Sequence, residues 1–181
     1  MIKLFGISIL IAAMILGAVP ALRAEAEKMA LTSPAFEEGG WIPEKFTCDG
    51  KNISPALKWT SPPVGNQSLV LFAEDWDAPA GLWVHWVLFN IPPTVSNLPE
   101  GLPALQTLVN FERNGINDFK NLGYGGPCPP TGTIHHYRFK LYALDAAPRL
   151  EAGAARDELL TAMEGHVLAE AQLMGKYRRK K

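Results

Sequence analysis

The stretch "SLVLFAE" (Ser68–Glu74) and the run Leu82–Ile91 after it are apolar on both of their faces. Short continuous apolar runs bounded by turn signals are what the central strands of a sandwich or barrel look like, covered from either side. Glycine and proline clusters punctuate the gaps: "TSPPVGNQ", "DWDAPAG" and "PPTVSN". The later run Ile134–Leu144 alternates instead. Period two puts His135, Tyr137, Phe139, Leu141 and Ala143 on an apolar face, and Ile134, His136, Arg138, Lys140 and Tyr142 on a wetter one. The chain is therefore expected to be mainly β. One helix is predicted over Arg156–Glu164, with acidic residues in its first turn and Gly165 as its stop. The following "VLAEAQLMGKY" suits either a helical extension or a last strand. The long Gly-, Pro- and Asn-rich stretch 101–132 resists placement, and no period of solenoid length recurs.

A chain of 181 residues, 48% hydrophobic and with net charge −1, predicts one domain with one sizeable core. No basic stripe with interleaved aromatics is present, so nucleic acid is not an expected partner. Residues 1–26 have the layout of a secretory signal peptide: a short positive start, the apolar run Leu4–Val19, Pro20, and small residues in "AEA". The mature domain then spans 27–181 and is periplasmic or secreted; retention of the segment as an anchor is the alternative. Export changes how the cysteines read. Cys48 and Cys128 match no zinc spacing, and in an oxidising compartment two lone cysteines usually pair. Closing so long a loop would stabilise the fold by roughly 4–5 kcal/mol; two buried free thiols are the other possibility. The terminal "KYRRKK" reads as a solvated terminus or as a contact for anionic lipid or an acidic partner.

Asp75 ends the first buried strand and opens "DWDAP", His85 sits inside the second, and His135 and Tyr137 face inward just after "GPCPPTG". Each has a structural explanation: a turn aspartate caps its own backbone, and a core histidine or tyrosine satisfies itself locally. Their joint occurrence at the edges of Pro- and Gly-fixed turns favours function. A carboxylate holds an imidazole in its donating form, and imidazoles and a phenol then donate to an anion. Pro79, Pro129 and Pro130 stiffen the walls, and backbone amides around Gly126 are expected to complete a small anion-binding concavity.

These segments together resemble the phosphatidylethanolamine-binding protein (PEBP) family, in its bacterial Raf-kinase-inhibitor-like branch. The resemblance rests on "FTCDGKNISPALKW" (Phe46–Trp59), "DWDAP" (Asp75–Pro79), "WVHW" (Trp83–Trp86), "NDF" (Asn117–Phe119) and "GYGGPCPPTGTIHHYRFKLYALD" (Gly123–Asp145), which cover nearly the whole mature chain. It implies an antiparallel β-sandwich with a few peripheral helices and a small ligand-binding pocket. By motif, that pocket falls on Asp75, Pro79, His85, Pro130, His135 and Tyr137, with backbone around Gly126. It implies binding of phosphate-like, acetate-like or phosphorylated groups such as phospholipid headgroups, without catalysis, cofactor or metal, and in some members inhibition of a kinase or protease. Two positions depart from the family pattern: Trp76 stands for a proline, and His136 stands where many members carry arginine. The rival reading is a small-molecule hydrolase or thiol enzyme using Asp75, His85 and His135, or Cys128. No G-x-S-x-G, H-E-x-x-H or phosphate-loop motif supports it.

Overall fold

The computed structural model describes residues 28–179, so the expected signal peptide lies outside the described residues. Nine strands and one helix follow in order: β1 (Leu31–Thr32), β2 (Gly40–Trp41), β3 (Leu57–Trp59), β4 (Ser68–Asp75), β5 (Trp83–Ile91), β6 (Asn97–Leu98), β7 (Arg113–Asn114), β8 (Ile134–Leu144), α1 (Arg156–Met163) and β9 (Val167–Arg178). A three-residue 3-10 turn at Glu44–Phe46 is the other helical element described. The ambiguous segment after Gly165 is thus a strand, not an extension of the helix.

A six-stranded sheet, ordered β2-β9-β8-β4-β5-β7, faces a three-stranded sheet, ordered β1-β3-β6. The pairings are antiparallel except β2 with β9, which is parallel. The two doubly apolar runs sit where their sequence demands. β4 lies between β8 and β5, and every one of its residues is buried. Its odd members Leu69, Leu71 and Ala73 join Trp86, Phe139 and Leu141 in the core between the sheets. Val70 and Phe72 join Val87, Phe89, Leu159 and Met163 in a second core under α1. Fully burying each large apolar side chain contributes about 1.5–3 kcal/mol, so a β4 buried on both faces is the anchor of both layers.

β8 follows its alternation: His135, Tyr137, Phe139, Leu141 and Ala143 are buried, whereas Ile134, His136 and Arg138 are exposed. Glu74 hides inside the apolar run of β4. Its carboxylate is fully buried on the α1 side, where it receives Arg156 of α1, the Lys140 ammonium at 3.3 Å and the Trp76 indole N–H at 3.1 Å. Cys48 and Cys128 are disulfide-bonded, their Cα atoms 5.4 Å apart across a sequence separation of 80.

Candidate functional site

The end of β4 positions the first carboxylate. Asp75 stands opposite Tyr137 of β8 and Trp83 of β5, on the face between the sheets. One of its oxygens, Oδ1, accepts the Asp77 amide at 2.9 Å, which is the turn cap expected of such a residue. The other, Oδ2, accepts from His135 Nδ1 at 2.7 Å, with both side chains buried. One aspartate therefore serves both of the roles weighed for it. Asp77 treats the next residue likewise: its Oδ2 accepts the His136 amide at 2.8 Å and His136 Nδ1 at 2.7 Å, out on the exposed face. Burial works to raise the Asp77 pKa, but the hydrogen bonds and charge of His136 outweigh it and hold the carboxyl below its ordinary value. The two aspartates of "DWDAP" thus each take one histidine of "HH" and fix the turn to the start of β8.

His85 arrives by a β-bulge. Ala73 pairs with Trp86 and Glu74 with Val84, so His85 is an extra residue with no partner opposite it on β4. Trp86 packs between the sheets and Val84 packs under α1, a split that unbroken alternation forbids for residues two apart. The following loop then clamps the bulge. The Asp118 amide donates to Val84 O at 2.9 Å and Asp118 Oδ2 accepts the Val84 amide at 2.7 Å. The Gly125 amide donates to His85 O at 2.8 Å, and His85 Nδ1 donates to Gly125 O at 2.7 Å. Strapping this loop down stacks Phe119 edge-on against Trp83 and His85, with centroids 5.4 and 5.3 Å apart.

The result is a cavity of about 390 Å³. Its polar wall is Asp75, His85 and His135; Pro79, Pro130, Trp83 and Phe119 are among its apolar walls, and Arg179 also lines it. Because Nδ1 of each imidazole faces an oxygen acceptor, each Nδ1 carries a proton. Among the described residues neither Nε2 has a hydrogen-bond partner. Burial, outweighing the Gly125 carbonyl and the Asp75 charge, holds the His85 pKa below 6.5. At neutral pH its Nε2 is an acceptor, and it becomes a donor on taking up a proton.

Two expected members do not line this cavity. The Gly126 amide donates instead to Asn52 Oδ1 at 2.7 Å, so it is not open to an anion. Glycine is required there for packing, since a Cβ would lie 2.3 Å from the Phe46 carbonyl oxygen. Tyr137 is 1% exposed and stands edge-on to His85, centroids 5.1 Å apart, with its hydroxyl buried and unpartnered. Burial first, and then the Asp75 charge, push its pKa far upward, so the phenol stays protonated. It braces the wall rather than facing the cavity.

Trp83, Phe119 and Arg179 were missed as site residues. Phe119 was present in "NDF", but only the loop's hydrogen bonds show where it points. Arg179 belongs to the basic terminus, which reads as solvated in sequence.

Chemically, the cavity offers ring nitrogens and a cation to an oxyanion. Its lining contains no Ser, Thr or Tyr hydroxyl, and the sulfur of its one cysteine, Cys128, is tied to Cys48. Among the described residues no three His, Cys, Asp or Glu side chains converge as a metal site would require. No described helix is long and apolar enough to cross a membrane.

The Phosphatidylethanolamine-binding protein family profile matches residues 32–178. A UPF0098 protein of Methanothermobacter thermautotrophicus is 51% identical over 151 residues, covering 83% of this chain and 99% of the relative. A UPF0098 protein of Chlamydia muridarum is 46% identical, with 82% and 98% covered. The crystal structure of a PEBP homologue from Chlamydia trachomatis superposes with a TM-score of 0.78 at 43% identity, covering 85% of this chain and 99% of that one. That of Escherichia coli YbcL, described as a member of the mammalian PEBP family, gives 0.78 at 30% identity, with 85% and 100% covered. With its two-sheet fold and a family match across nearly all of its described residues, this chain belongs to the phosphatidylethanolamine-binding protein family.

Proposed function

We propose that this protein is an exported, non-catalytic binding protein whose cavity captures small oxyanions: phosphate-like or carboxylate-like groups, phospholipid headgroups included. The observation that carries this reading is the convergence of His85 and His135 on one recess, each fixed through Nδ1 and each with Nε2 unused. Asp75 fixes the orientation of the His135 ring, and the bulge and clamped loop hold His85 before any ligand arrives. Rigid apolar walls limit the ordering that binding requires. The leader-like residues 1–26 and the Cys48–Cys128 bond support a periplasmic or secreted location. A kinase or protease would be engaged at the cavity mouth through a phosphorylated or acidic group. Anionic lipid would be met by the basic end of the chain.

The thiol-enzyme alternative loses its nucleophile to the disulfide. A hydrolase based on the Asp75–His135 pair would have to activate water without a second nucleophile in the wall.

Calorimetric titration with inorganic phosphate and with acetate tests the reading. Wild type should bind, and His135→Ala and Asp75→Ala should abolish binding while keeping a cooperative melting transition. Unchanged affinity in both variants would remove the pocket assignment.

A further inference from the structure

β9 runs to Arg178, so the terminal basic cluster begins within the sheet, and Arg179 just beyond it is held through both its backbone and its side chain. The Gly132 amide, in the loop that carries Pro129 and Pro130, donates to the Arg179 carbonyl at 3.2 Å. Its side-chain Nε donates to Asp49 Oδ1 at 3.0 Å. The Tyr177 hydroxyl, two residues earlier on β9, donates to the other Asp49 oxygen at 2.7 Å. Asp49 follows Cys48, and the disulfide bonds Cys48 to Cys128 of the cavity wall. Two separate segments, cross-linked to each other by the disulfide, therefore hold this arginine at the recess.

Asp49 takes only the Nε edge. Neither terminal nitrogen of the guanidinium makes a hydrogen bond within the described residues, and the side chain is 37% exposed. Among the described residues lining the cavity, Arg179 is the one Lys or Arg side chain, and Asp75 is an acid. A guanidinium cannot lose its proton in water and presents paired donors that fit tetrahedral oxyanions.

We infer that Arg179 is the charge-selecting wall of this cavity, favouring phosphate dianions, free or as terminal monoesters, over carboxylates and phosphodiesters. This rests on the oxyanion reading above and adds a preference to it. The imidazoles of the inner wall serve any oxyanion. A dianion gains more from a fixed cation than a monoanion does, because Coulomb attraction scales with the charge. Asp49 acts as a positioning residue that holds the fork by one edge.

The test is titration of wild type, Arg179→Ala, Arg179→Lys and Asp49→Asn with inorganic phosphate, phenyl phosphate, dimethyl phosphate and acetate, at one pH and ionic strength. Loss of a hydrogen bond to a charged group predicts roughly 10- to 100-fold weaker binding of inorganic and phenyl phosphate by Arg179→Ala. Dimethyl phosphate and acetate should weaken far less, and Arg179→Lys should fall between. Asp49→Asn should weaken phosphate in the wild-type background and change nothing further beside Arg179→Ala. Comparable affinity of phenyl and inorganic phosphate points to the ester as ligand, and loss of phenyl phosphate alone to the free ion; either outcome preserves the preference for a dianion. An equal loss for all four anions, or none, overturns the role of Arg179 while leaving the pocket intact. Failure of wild type to bind any of them overturns the oxyanion reading itself.

Discussion

At neutral pH the His85 ring is uncharged, because burial outweighs the neighbouring carbonyl and carboxylate. With its folded pKa below 6.5, the unfolded chain takes up the proton first as the pH falls. The stability that the neutral ring represents is complete above the unfolded value and is lost as the pH drops through it towards the folded one. An anion beside Nε2 reverses the preference, so binding should draw in a proton. Sulfate, whose charge is constant in this range, should bind more tightly as the pH is lowered from about 8 to about 5.5, and His85→Asn should flatten that dependence. A flat wild-type profile would exclude His85 as a donor. The sequence shows that His85 lies in a buried strand, but the bulge that aims it depends on register against β4, and register is a property of two strands. Gly126 was misread for a similar reason: its amide looks available until Asn52, from a distant loop, is seen to accept it.

Among the elements, β8 was the most legible, since a half-buried strand writes its two faces into alternate residues. β9 was not. Ala, Leu, Met and Glu in "VLAEAQLM" are good helix formers, yet the open edge of β8 offers eleven paired positions, from Ile134↔Arg178 to Leu144↔Val167, and this tertiary pairing overrides the local preference. α1 was placed correctly by its charges and Gly165, but what docks it was hidden, because Glu74 sits unremarked within an apolar run. Arg156 and Lys140 answer that buried carboxylate from segments far along the chain. Removing one partner leaves a poorly compensated charge in the interior, so Arg156→Ala should destabilise the fold by about 3–5 kcal/mol in urea unfolding. Glu74→Gln combined with Arg156→Met should recover much of that loss. If Arg156→Ala were as stable as wild type, the pair would not be what fixes the helix to the sheet.

For the molecule as a whole, pairing of the two cysteines was expected from their number and from the leader-like first residues, and the sulfurs do meet. The cross-link closes a long loop, so Cys48→Ser with Cys128→Ser should lower the unfolding free energy by about 2–5 kcal/mol. A double variant with wild-type stability would show that surrounding contacts alone hold the two segments. The recess itself was only partly foreseeable. Its polar residues lie in motifs, whereas the place of the Phe119 wall and of Arg179 is set by the clamped loop and by the end of the last strand. That last strand has a consequence for the order of assembly. Tyr177 lies on β9 and Arg179 just beyond it, while the residues they hold on to, Asp49 and Gly132, come from much earlier in the chain. A folding chain can therefore pair β8, β4 and β5 and still lack one side of the recess, which closes only when β9 has zipped along the edge of β8.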